Sequence, residues 1–147
     1  TIIDGGNIIG ANVFKTGFII KDDTEQELTG NYFFQDITDL AFTDLAFEND
    51  TPVLVFGNIF YSSSGYDSSL LLRISDGVDT YPSTEFIIPG GQVDTLAFYT
   101  FSFTHIITIP AARTLLKVQC ARSTPDETIK VFGVNEHSSF GYLILGS

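Results

Sequence analysis

Basic residues are scarce in this chain. Seven Lys and Arg stand against 18 Asp and Glu in 147 residues, leaving a net charge of −11. A surface this acidic repels a phosphate backbone, which argues against nucleic acid as a partner. The imbalance is uneven: residues 1–50 carry ten acidic groups against Lys15 and Lys21, whereas Arg113–Lys130 carries four basic groups against Asp126 and Glu127. Cysteine is scarcer still, and the single Cys120 excludes an internal disulfide. With one Cys and two His (His105 and His137), the chain cannot supply the four ligands of a structural zinc site, so neither a metal nor a cofactor is expected. No apolar run reaches the roughly 20 residues of a membrane-spanning helix, and no signal-peptide pattern opens the chain. A chain that opens on Thr1 is expected to follow a processing step or to be part of a longer one.

Catalytic motifs are missing as well. There is no G-x-S-x-G elbow and no Gly-rich loop followed by a helix and lysine. The carboxylate pairs Asp22-Asp23 and Asp126-Glu127 fall in turns, and Asp76-Gly77-Val78-Asp79 reads as a hairpin turn before a calcium loop. An enzyme is not expected.

What the chain does have is strand-forming residues, with 14 Phe and no window that keeps a helical stripe. Thr95–Pro110, TLAFYTFSFTHIITIP, alternates with period two. Ala97, Tyr99, Phe101, Phe103, His105, Ile107 and Ile109 form one apolar face, and the other face turns polar at Thr100, Ser102 and Thr104. Its length exceeds the usual five or six residues, so a bend or bulge near Thr104–His105 is expected. His105 on that face reads as a core or interface histidine, and His137 as an exposed loop residue. After the corner Pro110-Ala111-Ala112, the stretch Arg113–Arg122 alternates again, with Leu116, Val118 and Cys120 inward. Short strands recur at regular spacing from Asn31 onward, the pattern of an all-β sandwich. The near-repeat Thr38–Phe42 and Thr43–Phe47 has an odd period, and a bulge near Thr43 would restore Phe42 and Phe47 to related faces.

Two segments are apolar on both faces: Pro52–Tyr61 and Ser139–Leu145. A one-sided sheet does not need this, so a second cover is expected, and a subunit interface is the natural place for it. The expected interface residues are Val53, Val55, Phe56, Phe60, His105, Phe140, Tyr142 and Ile144. The polar loop Ser62–Ser69 offers Ser64, Tyr66 and Asp67 as adaptable contacts for a receptor or glycan. Residues 1–30, with Gly breaks around Ile pairs and the polar KDDTEQELTG, read as an amino-terminal arm or attachment segment, with the sandwich domain at 31–147; within the arm, Asn12–Ile20 reads either as a first strand or as a stretch laid on a neighbour.

The order of a strand ending in RISDG, a Phe-rich strand, IPAARTLLKVQCA and a closing apolar strand resembles the jelly-roll domains of bacteriophage head and tail fibres and capsid decoration proteins. The matching residues are Pro110, Ala111, Leu116, Val118 and Gln119; Arg113 stands where that group often has Gly. The opening IDGG-I resembles segments before terminal domains of phage tail and fibre proteins. SSFGYLIL, through Phe140 and Gly141, resembles the last strand of the C1q and tumour-necrosis-factor group. The resemblance implies a jelly-roll β-sandwich forming a homotrimer. It further implies a virion structural protein, a capsid decoration or fibre protein attached to other virion proteins through the amino-terminal arm. A receptor- or glycan-binding fibre tip and a secreted C1q- or tumour-necrosis-factor-like ligand are the alternatives.

Overall fold

The computed structural model describes residues 15–22, 24–29, 32–63, 69–87, 97–123, 128–133 and 138–146. Period-two alternation becomes ten strands: β1 Thr16–Ile20, β2 Gln26–Leu28, β3 Gln35–Phe42, β4 Thr51–Ser63, β5 Ser69–Ser75, β6 Thr80–Ile87, β7 Ala97–Ile109, β8 Leu116–Arg122, β9 Ile129–Val131 and β10 Ser139–Ile144. All pairings are antiparallel. One sheet runs β1-β10-β4-β7, with β9 and β2 continuing beyond β10 on the same flank of β4. The other runs β3-β8-β5-β6. The two form a jelly-roll sandwich.

Between the sheets lies the core that the alternation demands. Val53, Val55, Ile59 and Tyr61 of β4 meet Leu70, Leu72 and Ile74 of β5 and Leu116, Val118 and Cys120 of β8, all buried. Burying a side chain of this size is worth roughly 1.5–3 kcal/mol. Phe42 packs edge-on against Tyr142, ring centroids 4.7 Å apart, and so ties β3 to β10 across the sandwich.

Three local expectations change. β7 has no bulge at Thr104–His105: it pairs residue for residue with β4 from Ala97↔Ser63 to Ile109↔Thr51. Two strands of 13 residues template each other, which removes the reason to break either. The bulge sits earlier than Thr43, between Asp36 and Ala41 of β3, where Asp39 adopts φ +70°. Asp tolerates the left-handed region better than most residues. The second half of the near-repeat, residues 43–47, is irregular, yet Leu45 and Phe47 still reach the core.

The expected boundary at residue 30 also moves. Thr16–Ile20 is a strand of this domain's own sheet, paired with β10 from Thr16↔Leu143 to Ile20↔Ser139. Gln26–Leu28 pairs with β9 and buries Leu28. The sandwich therefore includes residues from at least Thr16 onward, and 15–29 are not a separate arm.

The Asp76-Gly77 turn forms as expected. Gly77 takes φ +92°, where a side chain would be strained. The Asp76 carboxylate Oδ1 accepts from the amides of Val78 (2.9 Å) and Asp79 (2.7 Å), and Oδ2 accepts from the Tyr81 hydroxyl (2.8 Å). Arg113 Nε lies 3.2 Å from the same Oδ2, and its Nη2 donates to Asp79 (2.9 Å). This cluster clamps the β5–β6 turn to the corner before β8.

Candidate subunit interface

The outward face of the six-stranded sheet is built in rows fixed by cross-strand register. One row is Thr16–Leu143–Leu54–Ile106; the next is Phe18–Gly141–Phe56–Thr104; the third is Ile20–Ser139–Asn58–Ser102. No charged residue points outward from β1, β10, β4 or β7, although the chain carries 25 charged side chains. The charged pair Lys130–Glu25 (3.2 Å) stands at the β9 flank, outside those rows.

Gly141 has a specific place in the second row. A Cβ there would meet the Phe56 ring at 2.5 Å and the Gly17 carbonyl oxygen at 3.0 Å. Its absence lets Phe56 lie over the glycine, where it stacks on Phe18 with centroids 6.4 Å apart and planes within 14°. An aromatic covering a strand glycine repairs the gap in the sheet surface. Phe18 is nonetheless 58% exposed, and Ile106 in the neighbouring row 68%. A second apolar island lies at the far end of β4, where Phe60, Phe98 and Phe132 form a three-ring cluster with centroids 5.8–6.0 Å apart. Phe98 remains 54% exposed. Between the islands runs a polar belt in which the Ser102 hydroxyl donates to Asn58 Oδ1 (2.6 Å).

Of the eight residues expected at a subunit contact, only Phe56 and Phe60 belong to this outward face. Val53, Val55 and Phe140 are wholly buried in the sandwich core, and Tyr142 nearly so. Ile144 packs against the same core. These five are corrected to core positions, because their pleat phase faces the opposing sheet. His105 pairs with Val55 and shares its inward register, yet it is exposed at the open seam between the sheets, beside Ile74, Tyr81 and Ile107. The missed members of the outward face are Phe18, Leu54, Phe98, Ile106 and Leu143. Register would have revealed them; alternation along single strands could not. Ser64, Tyr66, Asp67 and His137 lie outside the described residues.

Elsewhere the titratable groups are engaged structurally. Asp36 is held below the usual carboxylate range chiefly by the Gln119 side-chain amide, burial opposing, with Lys117 adding to the depression. Burial pushes the Cys120 thiol well above its ordinary value. Among the described residues no group of three His, Cys, Asp or Glu is placed to hold a metal ion.

No family model and no curated protein matches the sequence. Solved structures do match the fold. The Eiger tumour necrosis factor of S. frugiperda aligns with a TM-score of 0.61 and 11% identity, over 91% of this chain and 94% of that one. Infectious bursal disease virus, Gt strain, aligns at 0.58 and 17%, over 90% of this chain. The VP2 subviral particle of the same virus aligns at 0.58 and 14%, again over 90%. This chain spans about a third of each viral chain. The jelly roll described above is thus a fold held in common with a tumour-necrosis-factor protein and with proteins of a virus particle.

Proposed function

We propose that this protein is a virion structural component, a homotrimeric jelly roll that decorates a capsid or forms part of a fibre, attached to other virion proteins through its amino-terminal segment. The observation that carries self-assembly is the uncharged outward face of β1, β10, β4 and β7. In a chain of net charge −11, so wide a surface without a single ionised group avoids the cost of desolvating charge when a copy of itself arrives. Two apolar islands, at Phe18–Phe56 and at Phe60–Phe98–Phe132, supply the buried core of the contact. The fold's occurrence in a virus particle supports the location. A second reading, a secreted ligand of the tumour-necrosis-factor kind, is favoured by the full-length match to the Eiger protein, 94% of that chain.

Light scattering tests the assembly. The expected mass is three times the 16.1 kDa protomer and independent of dilution in the micromolar range. Phe56→Glu, which places a charge in the middle row, is expected to return the 16.1 kDa species, whereas Thr114→Glu on an exposed position outside both sheets leaves the trimer intact. A wild-type monomer refutes self-assembly. Stoichiometric copies in purified particles support the virion reading; their absence, with binding to a cell-surface receptor, selects the ligand.

A further inference from the structure

Arg73 stands without a counter-ion in a chain rich in them. Lys21, Arg113, Lys117 and Lys130 each have a carboxylate within 3.5 Å. Among the described residues Arg73 has none, although acidic groups outnumber basic ones by 18 to seven. Its placement follows from strand alternation. Leu72 and Ile74 turn into the core, so Arg73 between them points out from the four-stranded sheet. The register with β6 shifts here, between Leu72 and Ile74, a break of the kind that re-aims a side chain. The guanidinium is then held on two sides. Its Cζ lies 4.1 Å from the centroid of the Phe34 ring. Its Nε donates to Gln119 Oε1 (2.7 Å) along the cross-strand row Asp36–Gln119–Arg73. Gln119 is itself fixed: its Nε2 donates to Asp36 Oδ1 (2.8 Å), while Lys117 Nζ donates to Asp36 Oδ2 (3.0 Å). Among the described residues no protein group takes either Nη nitrogen of Arg73. An arginine whose plane is set by stacking and by Nε, with its terminal fork open, is preorganised to hold a carboxylate through two parallel hydrogen bonds.

We propose that this outward face of β3, β8 and β5 binds an acidic sugar residue, whose carboxylate meets the Nη fork of Arg73. Lys117, one row along, adds a second positive charge. The groups beside the fork suit a hydroxylated ring better than an acidic peptide. The Asp36 side chain is 59% exposed, and each of its oxygens keeps a lone pair for a hydroxyl donor. The same carboxylate repels the successive carboxylates that an acidic peptide would bring. Tyr32 and Phe33, immediately before Phe34, are 60% and 63% exposed and offer aromatic surface to the CH side of a sugar ring. The Tyr32 amide donates to the Arg122 carbonyl (2.8 Å), which ties this stretch to the end of β8. The site lies on the opposite side of the sandwich from the face proposed for self-assembly, and the inference does not rest on that assembly.

The test is an NMR titration of the full chain with sialyllactose, a glucuronic acid disaccharide, lactose and tetraglutamate. Both acidic sugars should shift the amide signals of Asp36, Arg73 and Gln119 saturably, and lactose should bind at least about tenfold more weakly. Arg73→Lys keeps the charge but lacks the fork, and should weaken sialyllactose by about tenfold. Tyr32→Asn/Phe33→Ser changes two exposed positions, and Asn tolerates the left-handed backbone of Tyr32 (φ +56°). This variant should weaken sialyllactose as well. Should either variant fail to fold, the wild-type titrations still decide. Lactose binding as tightly as sialyllactose overturns the carboxylate as the recognised group, and so does undiminished binding by Arg73→Lys. Tetraglutamate binding more tightly than both acidic sugars overturns the sugar and makes the partner an acidic peptide. No saturable shift with either acidic sugar overturns the site.

Discussion

Replacing Asp76 by Ala removes the anchor of the β5–β6 turn. The Asp76 side chain has no solvent exposure, its two oxygens accept from two backbone amides and the Tyr81 hydroxyl, and Oδ2 lies in ion-pair contact with Arg113 Nε at 3.2 Å. Summing these at 1.5–3 kcal/mol for each bond to a charged group would overshoot, because the amides sit in a turn that water can enter once the carboxylate is gone. Breaking a buried pair by deleting one partner costs about 3–5 kcal/mol. The low end applies, since Arg113 is 24% exposed and keeps Asp79. A loss of about 3 kcal/mol lowers the melting temperature of a domain this size by about 10 °C. Circular dichroism melts at fixed protein concentration measure it. Acid adds a sign. Burial raises the Asp76 pKa, but the Asp79 and Val78 amides, Tyr81 and Arg113 outweigh it, so the carboxyl titrates below its ordinary range. A depressed folded value means that the contribution is complete above about pH 5 and fades as pH falls below about 4. The gap between wild type and Asp76→Asn should therefore narrow from pH 7 to pH 3. A melting temperature within about 2 °C of wild type for Asp76→Ala, or a gap that widens in acid, refutes the reasoning.

Gly141→Ala should cost about 1–3 kcal/mol, because the added methyl displaces the Phe56 ring while the Gly17 carbonyl blocks the other side; an unchanged denaturant midpoint would show that Phe56 swings aside freely. Cys120 should resist a thiol reagent in the native protein and react on denaturation, and rapid native labelling would contradict its burial among Leu72 and Val118. Phe56→Glu should dissociate the proposed trimer where Thr114→Glu does not, read by light scattering.

The sandwich was legible wherever alternation was strong. β7 and β8 follow from period two, β4 and β10 from short runs apolar on both faces, and the β5–β6 hairpin from Asp76-Gly77. β1 was half legible: Asn12–Ile20 could be read as a first strand or as an arm on a neighbour, because TGFII is five residues long and its partner lies near position 140. A strand whose hydrogen-bonded partner among the described residues is so remote leaves little local trace. The β3 bulge was misplaced because the five-residue near-repeat suggested a joint at Thr43, whereas the break falls where Asp39 can take a left-handed conformation. The outward face of the six-stranded sheet was half legible. That β4 carries two apolar faces is plain from Val53, Leu54, Val55 and Phe56, but a period of two cannot say which face meets the sister sheet. Only the register with β10 and β7 assigns Leu54 and Phe56 to the outside.

The pairing of β1 with β10 has a consequence for how the protein is made. At about 5–20 residues per second, strand β1 leaves the ribosome roughly 6–25 seconds before its partner is synthesised. Until then β1 has nothing to bond to, and Phe18 has no Phe56 platform completed by Gly141 beneath it. β4 likewise waits for both β7 and β10, its neighbours on either side. The six-stranded sheet thus closes last and late, through contacts of long sequence separation, which fold slowly. Its outward surface therefore comes into being only once β10 has been made.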